Sequence, residues 1–199
     1  MTSAHLALAL ALAACGKADP PAGSGPAQPP VAIDVAAVNA LLPVALRDRL
    51  VFERRALVIE RGKQRTTYTL AAPAGWSQQS KLFAHLRPDN QVGFDTRFEV
   101  GSNCDGECAP KAWELIADRV NFAPKAKGKI EKDERSSGRR TMIVERDDQG
   151  IAKTEVVVAW WADGARSYHT CTASLGAALR DAAAAFERAC QAIAIDGDD

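Results

Sequence analysis

The sequence predicts an α+β domain, a mostly antiparallel sheet of about seven strands with helices on both faces. Three observations predict it. Residues 155–161, EVVVAWW, are apolar on both faces after the first residue, the pattern of a central strand covered on both sides. Val92, Phe94, Thr96, Phe98 and Val100 alternate with Gly93, Asp95, Arg97 and Glu99, the period of a strand with one buried face. Leu175, Leu179, Ala183, Phe186 and Cys190 recur at helical spacing, so a helix from about Leu175 to Ala192, with Ser174 as N-cap, closes the domain.

The elements follow in order from about Val31. Asp34 caps a short helix through Leu42, with Val35, Val38 and Leu42 on one face. Pro43 interrupts it, and a second helical turn reaches Leu50. Ala56 to Arg61 and Gln64 to Ala71 flank Gly62-Lys63, a hairpin signal. Pro73-Ala74-Gly75 forces a turn that delivers Trp76. Lys81 to Leu86 reads as a strand, and the alternating stretch Val92 to Val100 follows. After the loop GSNCDGECA, Pro110 opens a helix to about Phe122, with Trp113, Ile116, Ala117 and Val120 inward. The charged stretch 123–140 is a loop and then an exposed strand that turns at Ser136-Ser137-Gly138. Arg139 to Asp147 returns, 147–150 turn again, and EVVVAWW runs to Asp163-Gly164, a strong hairpin dipeptide. Arg166 to Ala173 pairs back.

Size and charge limit the function. The chain has 199 residues, which fits one domain, residues 31–195, behind an N-terminal leader, with an acidic tail at 196–199. Lys plus Arg equal Asp plus Glu at 25 each, so there is no electrostatic footprint for nucleic acid.

The leader is the most informative stretch. Leu6 to Ala14 is an unbroken Leu/Ala run, too short to span a bilayer, which takes about 20 apolar residues. It fits the apolar region of a secretory signal, although Met1 to His5 carries no Lys or Arg. The junction Leu12-Ala13-Ala14-Cys15 resembles the lipobox of bacterial lipoproteins. The resemblance implies that residues 1–14 are removed and that Cys15 becomes the first mature residue, carrying acyl chains. Residues 15–30 then form a tether: GKADPPAGSGPAQPP, after the Cys, holds five Pro and three Gly and cannot pack a core. At about 3.1 Å per residue it reaches up to about 45 Å. No Asp follows Cys15, which points to the outer membrane, facing the periplasm, over the inner one. The implied partners are the membrane, through the lipid, and an envelope protein.

Four Cys follow the anchor: Cys104, Cys108, Cys171 and Cys190. An even number in an exported domain points to disulfides, and of three possible pairings the local ones, Cys104 with Cys108 and Cys171 with Cys190, are expected. The second pairing needs a helix offset that brings the Cα atoms within about 7 Å.

Catalytic sets are hard to assemble from this chain. His85 and His169 both fall in predicted strands, and there is no Gly-x-Ser-x-Gly elbow. Paired Cys-x-x-Cys, His-Glu-x-x-His and phosphate-binding Gly loops are absent. Cys104, Cys108 and His169 together resemble the copper site of the SCO chaperones, which implies thiol or copper handling as the alternative function. Lys125, Lys127, Lys129, Arg139 and Arg140 lie beside Glu131, Asp133 and Glu134, as on a solvated hairpin. Trp160 and Trp161 point to opposite faces of one strand and read as core.

The order of strand, Tyr68-to-Trp76 turn with its Pro73-Ala74-Gly75-Trp76 entry, meander and closing helix is similar to the PsbP/Mog1-like α/β/α sandwich over residues 55–195. That resemblance implies a binding or accessory module. The expectation is therefore a lipid-anchored, cell-envelope protein with a non-catalytic domain, no cofactor and no metal.

Overall fold

A computed structural model describes residues 32–88, 96–103, 128–136, 138–148, 150–161, 164 and 166–197. The strands form two antiparallel sheets. The smaller has the order β1-β2-β10, with β1 Phe52–Arg61, β2 Gln64–Pro73 and β10 Ala194–Gly197. The larger contains β3 Trp76–Gln78, β4 Ala84–Pro88, β5 Arg97–Asn103, β6 Gly128–Ser136, β7 Arg139–Asp148, β8 Ile151–Trp160 and β9 Tyr168–Gly176. Its order is β3-β4-β5-β9-β8-β7-β6. Two α-helices, α1 Val35–Ala40 and α2 Ala183–Gln191, and two 3-10 turns, Val44–Leu46 and Ala177–Ala182, complete the described elements.

Local chemistry places the turns where the sequence predicts them. Gly62 has φ 63° and closes the β1–β2 hairpin, and Gly75 at φ 72° turns the chain into Trp76. The Gly138 turn returns β6 into β7, with their paired registers running from Ser136–Arg139 to Gly128–Arg146. Asp34 caps α1 by accepting from the Ala37 amide at 2.9 Å. Val38 and Leu42 are buried as the helical spacing requires.

The core collects on one face of the large sheet. α2 packs there against β8 and β9 and also touches β2 of the small sheet, while α1 packs on α2 and β1. Ala182, Ala185 and Ala189 are fully buried, so the helix backbone approaches the strands closely. Phe186, fully buried, meets Phe52 at 5.0 Å, Phe98 at 5.5 Å and Trp76 at 6.0 Å. Cys190 reaches Cys171 of β9 and forms the expected disulfide, with the Cα atoms 5.4 Å apart.

The predicted architecture needs three corrections. The described residues hold ten strands in two sheets, where about seven were expected. Among the described residues, helices on both faces are not found either. Both described α-helices lie on the same side of the large sheet, so the α/β/α sandwich of the PsbP/Mog1-like resemblance is not supported. EVVVAWW is nevertheless buried on both faces. Val156 and Val158 join the main core, whereas Val157, Ala159 and Trp161 join a second cluster with Met142, Val144 and Tyr168. The helix predicted from Pro110 to Phe122 lies outside the described residues, as do Val92 to Asp95 of the alternating strand and Asp163.

The third correction concerns the start of the C-terminal helix. Ser174 does not cap it, and Leu175 is not in it. β9 continues to Gly176, where Ser174 pairs with both Arg97 and Glu155 and Leu175 with Thr154. A strand with neighbours on both sides satisfies its backbone completely, which overrides a local helix-start signal. A 3-10 turn, Ala177–Ala182, then sets the beginning of α2.

Replacing Phe186 with Ala is expected to cost about 3–5 kcal/mol of stability, because a fully buried ring leaves a cavity. Replacing Cys171 and Cys190 together with Ala is expected to cost about 3 kcal/mol for a loop of this length. Denaturant midpoints of the variants check both; a loss below about 1 kcal/mol for Phe186→Ala contradicts the placement of the ring.

Candidate functional site

The large sheet presents its chemistry on the face turned away from α2. Strand alternation puts His85 of β4, Arg97 and Glu99 of β5, Glu155 of β8 and Arg146 of β7 on that face. His85 and Glu99 are paired across the ladder, and Nε2 of His85 lies 3.1 Å from Oε2 of Glu99. Nε of Arg97 approaches the same oxygen at 3.5 Å. Two strands away, Arg146 donates through Nη2 to Oε1 of Glu155. The result is a strip of alternating charge.

Glu155 is the unusual member, with only 7% of the residue exposed. Burial pushes its pKa above the ordinary glutamate range, and Glu99 adds to that. Arg146, Arg97 and Lys153 oppose the shift without reversing it. A desolvated carboxylate that keeps one close arginine is costly to charge, which is why the direction is upward despite the ion pair. At the outer end of the same face, Asp133 of β6 accepts two bonds from Arg140, each 2.9 Å. This fork holds the Asp133 carboxyl below its usual value.

A His–carboxylate pair supplies two of the three roles of a nucleophilic triad. The third is missing among the described residues: no hydroxyl or thiol bonds to the His85 ring, which stacks on Phe83 at 5.2 Å. An open groove of about 300 Å³ lies at the foot of β6, β7 and β8, lined by Lys129, Glu145, Arg146, Lys153 and Arg180. Its cations are matched by carboxylates, Arg180 by Glu145 and Lys129 by Glu131. Charge pairing on both surfaces makes them polar platforms among the described residues.

The residues singled out from the sequence fare differently. Cys171 and Cys190 meet, as above. Cys15, Cys104, Cys108, Lys125 and Lys127 lie outside the described residues, so the Cys104–Cys108 pairing and the lipidation of Cys15 do too. Of the alternative set Cys104, Cys108 and His169, only His169 is placed. Its ring stacks on Trp160 at 5.6 Å, and its Nδ1 lies 3.5 Å from the Tyr68 hydroxyl. Among the described residues no cluster of three or more His, Cys, Asp and Glu could hold a metal ion. Trp160 borders the main core and Trp161 stacks on Tyr168 at 5.3 Å, on opposite faces as expected. Arg139 is half-buried, and burial lowers its pKa.

Glu155 and Glu99 are not among the residues that the sequence singles out. The signal for Glu155 was present, a charge opening an apolar strand with the same parity as Val157 and Ala159. The partner Arg146 lies on another strand and was invisible without the register. The chain matches no protein-family model, and no curated protein is similar to it.

The two carboxylates give opposite pH signatures. Asp133 has a depressed folded pKa, so its contribution is whole above the unfolded value of about 3.9 and is lost as pH falls toward the folded one. Glu155 has a raised folded pKa, so its contribution is whole below about 4.3 and is lost as pH rises through the folded one. The stability advantage of wild type over Asp133→Asn should therefore shrink in acid, and that over Glu155→Gln should shrink as pH rises. Denaturant unfolding across the acid-to-neutral range checks this, and curves parallel to wild type would contradict it.

Proposed function

We propose that this chain is a lipid-anchored cell-envelope protein whose domain binds a partner or supports an assembly and performs no reaction of its own. The observation that carries the reading is the Leu12-Ala13-Ala14-Cys15 junction behind an apolar run. The Pro- and Gly-rich stretch behind it supplies a spacer of up to about 45 Å between lipid and domain. The Cys171–Cys190 pair supports the same address, because such bonds persist in oxidising compartments such as the periplasm. Sheet faces crossed by matched charges, as at His85–Glu99–Arg97 and Glu155–Arg146, suit recognition of another polar surface. Of the two bacterial membranes the outer one, facing the periplasm, fits the Gly16 that follows Cys15.

The anchor is tested by the intact mass of the protein isolated from a bacterium that processes lipoproteins. The expected mature chain starts at Cys15 and carries acyl chains, and Cys15→Ser abolishes both the cleavage and the added mass. A chain that keeps Leu6 to Ala14, or one cleaved without acylation, would overturn the lipid anchor. Free Cys104 and Cys108 binding one Cu(I) in the purified chain would turn the reading toward metal handling.

A further inference from the structure

We infer that the corner formed by the end of α1, the Val44–Leu46 turn and the start of β1 is a docking surface for the anionic lipid bilayer to which Cys15 would fasten the chain. The inference rests on the lipid-anchor reading above and adds an orientation to it.

Three large apolar side chains emerge at this corner: Leu41 is 46% exposed, Val44 78% and Val51 49%. Two contacts bring them together. The Asn39 side chain exchanges both of its hydrogen bonds with the Phe52 backbone, at 2.9 and 2.8 Å, which stitches the end of α1 to the start of β1. Arg47 folds back to donate to the carbonyls of Leu42 and Ala40. Polar bonds thus fix the backbone of this corner while the three apolar side chains remain exposed. Single exposed apolar residues need no explanation, and Ile130 and Ile151 elsewhere on the surface are of that kind. Three at one corner are different, and Val44 is the most exposed large apolar residue described.

Charge and chain position select the occupant. Exposed Arg47, Arg49 and Arg54 outnumber Asp48 and Glu53 around the patch. An apolar centre rimmed by arginine matches the boundary between acyl chains and anionic headgroups. The tether joins the domain at the start of α1, so the corner at the far end of that six-residue helix lies about 9 Å along its axis from the junction. A domain already tied to the bilayer meets it at a high effective concentration, so a small patch suffices for seating.

The experiment uses the full chain, processed and reconstituted into phosphatidylglycerol–phosphatidylcholine vesicles, with tryptophan reporters at two exposed sites. Acylation of Cys15 is first read by mass. Val44→Trp is then compared with Ile151→Trp in vesicles of ordinary and of acyl-brominated lipid, after subtracting wild-type fluorescence. The expected result is that brominated lipid quenches at least half of the added Val44→Trp signal and leaves the Ile151→Trp signal unchanged. A companion Arg49→Glu, Arg54→Glu variant carrying Val44→Trp, which leaves the Arg47 bonds in place, should lose most of the quenching. Both reporters unquenched on an acylated chain would overturn the inference and leave the anchor standing. So would a Val44→Trp signal shielded only by an added envelope protein, which would assign the corner to that protein. A chain without acylation refutes the anchor and this inference with it.

Discussion

Phe186 is where the two sheets meet. Its ring touches Phe52 from the small sheet and Phe98 and Trp76 from the large one, and none of it reaches solvent. Around that ring the side chains of both sheets, Leu57 and Leu70 from one and Leu86 and Val156 from the other, belong to one continuous core. The rest of the fold is arranged to keep it in place. The disulfide pins α2 to β9 four residues after Phe186, and the buried alanines set the helix depth. Glu187, next in sequence, accepts from Lys132 at 2.7 Å and so ties the outermost strand β6 to the same helix. The turn at Gly75 matters for the same reason, since it carries Trp76 from the end of β2 into the other sheet.

What was legible in the sequence was local. Gly62, Gly75 and Gly138 each sit at positive φ, and each turn followed from the glycine and its neighbours. The Asp34 cap needed only one side chain and one amide. The Cys171–Cys190 bond forms although the expected helix start at Leu175 is strand, because the 3-10 turn at Ala177–Ala182 supplies the offset that lets Cys190 come back to the middle of β9. Two features depended on long-range pairing and left no local trace. One is the division into two sheets. The other is β10, four residues at Ala194–Gly197 that align with β2 across more than a hundred positions of chain. The charged edge strand β6, by contrast, announced itself, because Lys, Glu and Asp along an outer strand discourage further pairing.

The candidate site was legible only in fragments. His85, Arg97 and Glu99 were each visible as polar positions in strands, but their meeting depends on the β4–β5 register. Glu155 was hidden by its company. Its burial follows from the strand it opens, and its raised pKa follows from that burial more than from any neighbour. The surfaces of the domain pair their charges internally, which agrees with a chain whose positive and negative residues balance at 25 each. Such a surface favours specific polar recognition over long-range attraction.

The domain is closed by a covalent bond between α2 and the large sheet, and the proposed envelope address requires that bond to persist in the native protein. The most direct measurement is a non-reducing peptide map of the protein taken from its native envelope under alkylating conditions. The account predicts that the peptide holding Cys171 is recovered linked to the peptide holding Cys190, with neither sulfur alkylated. Recovery of both cysteines as alkylated thiols from the native protein would contradict the bond and the compartment together.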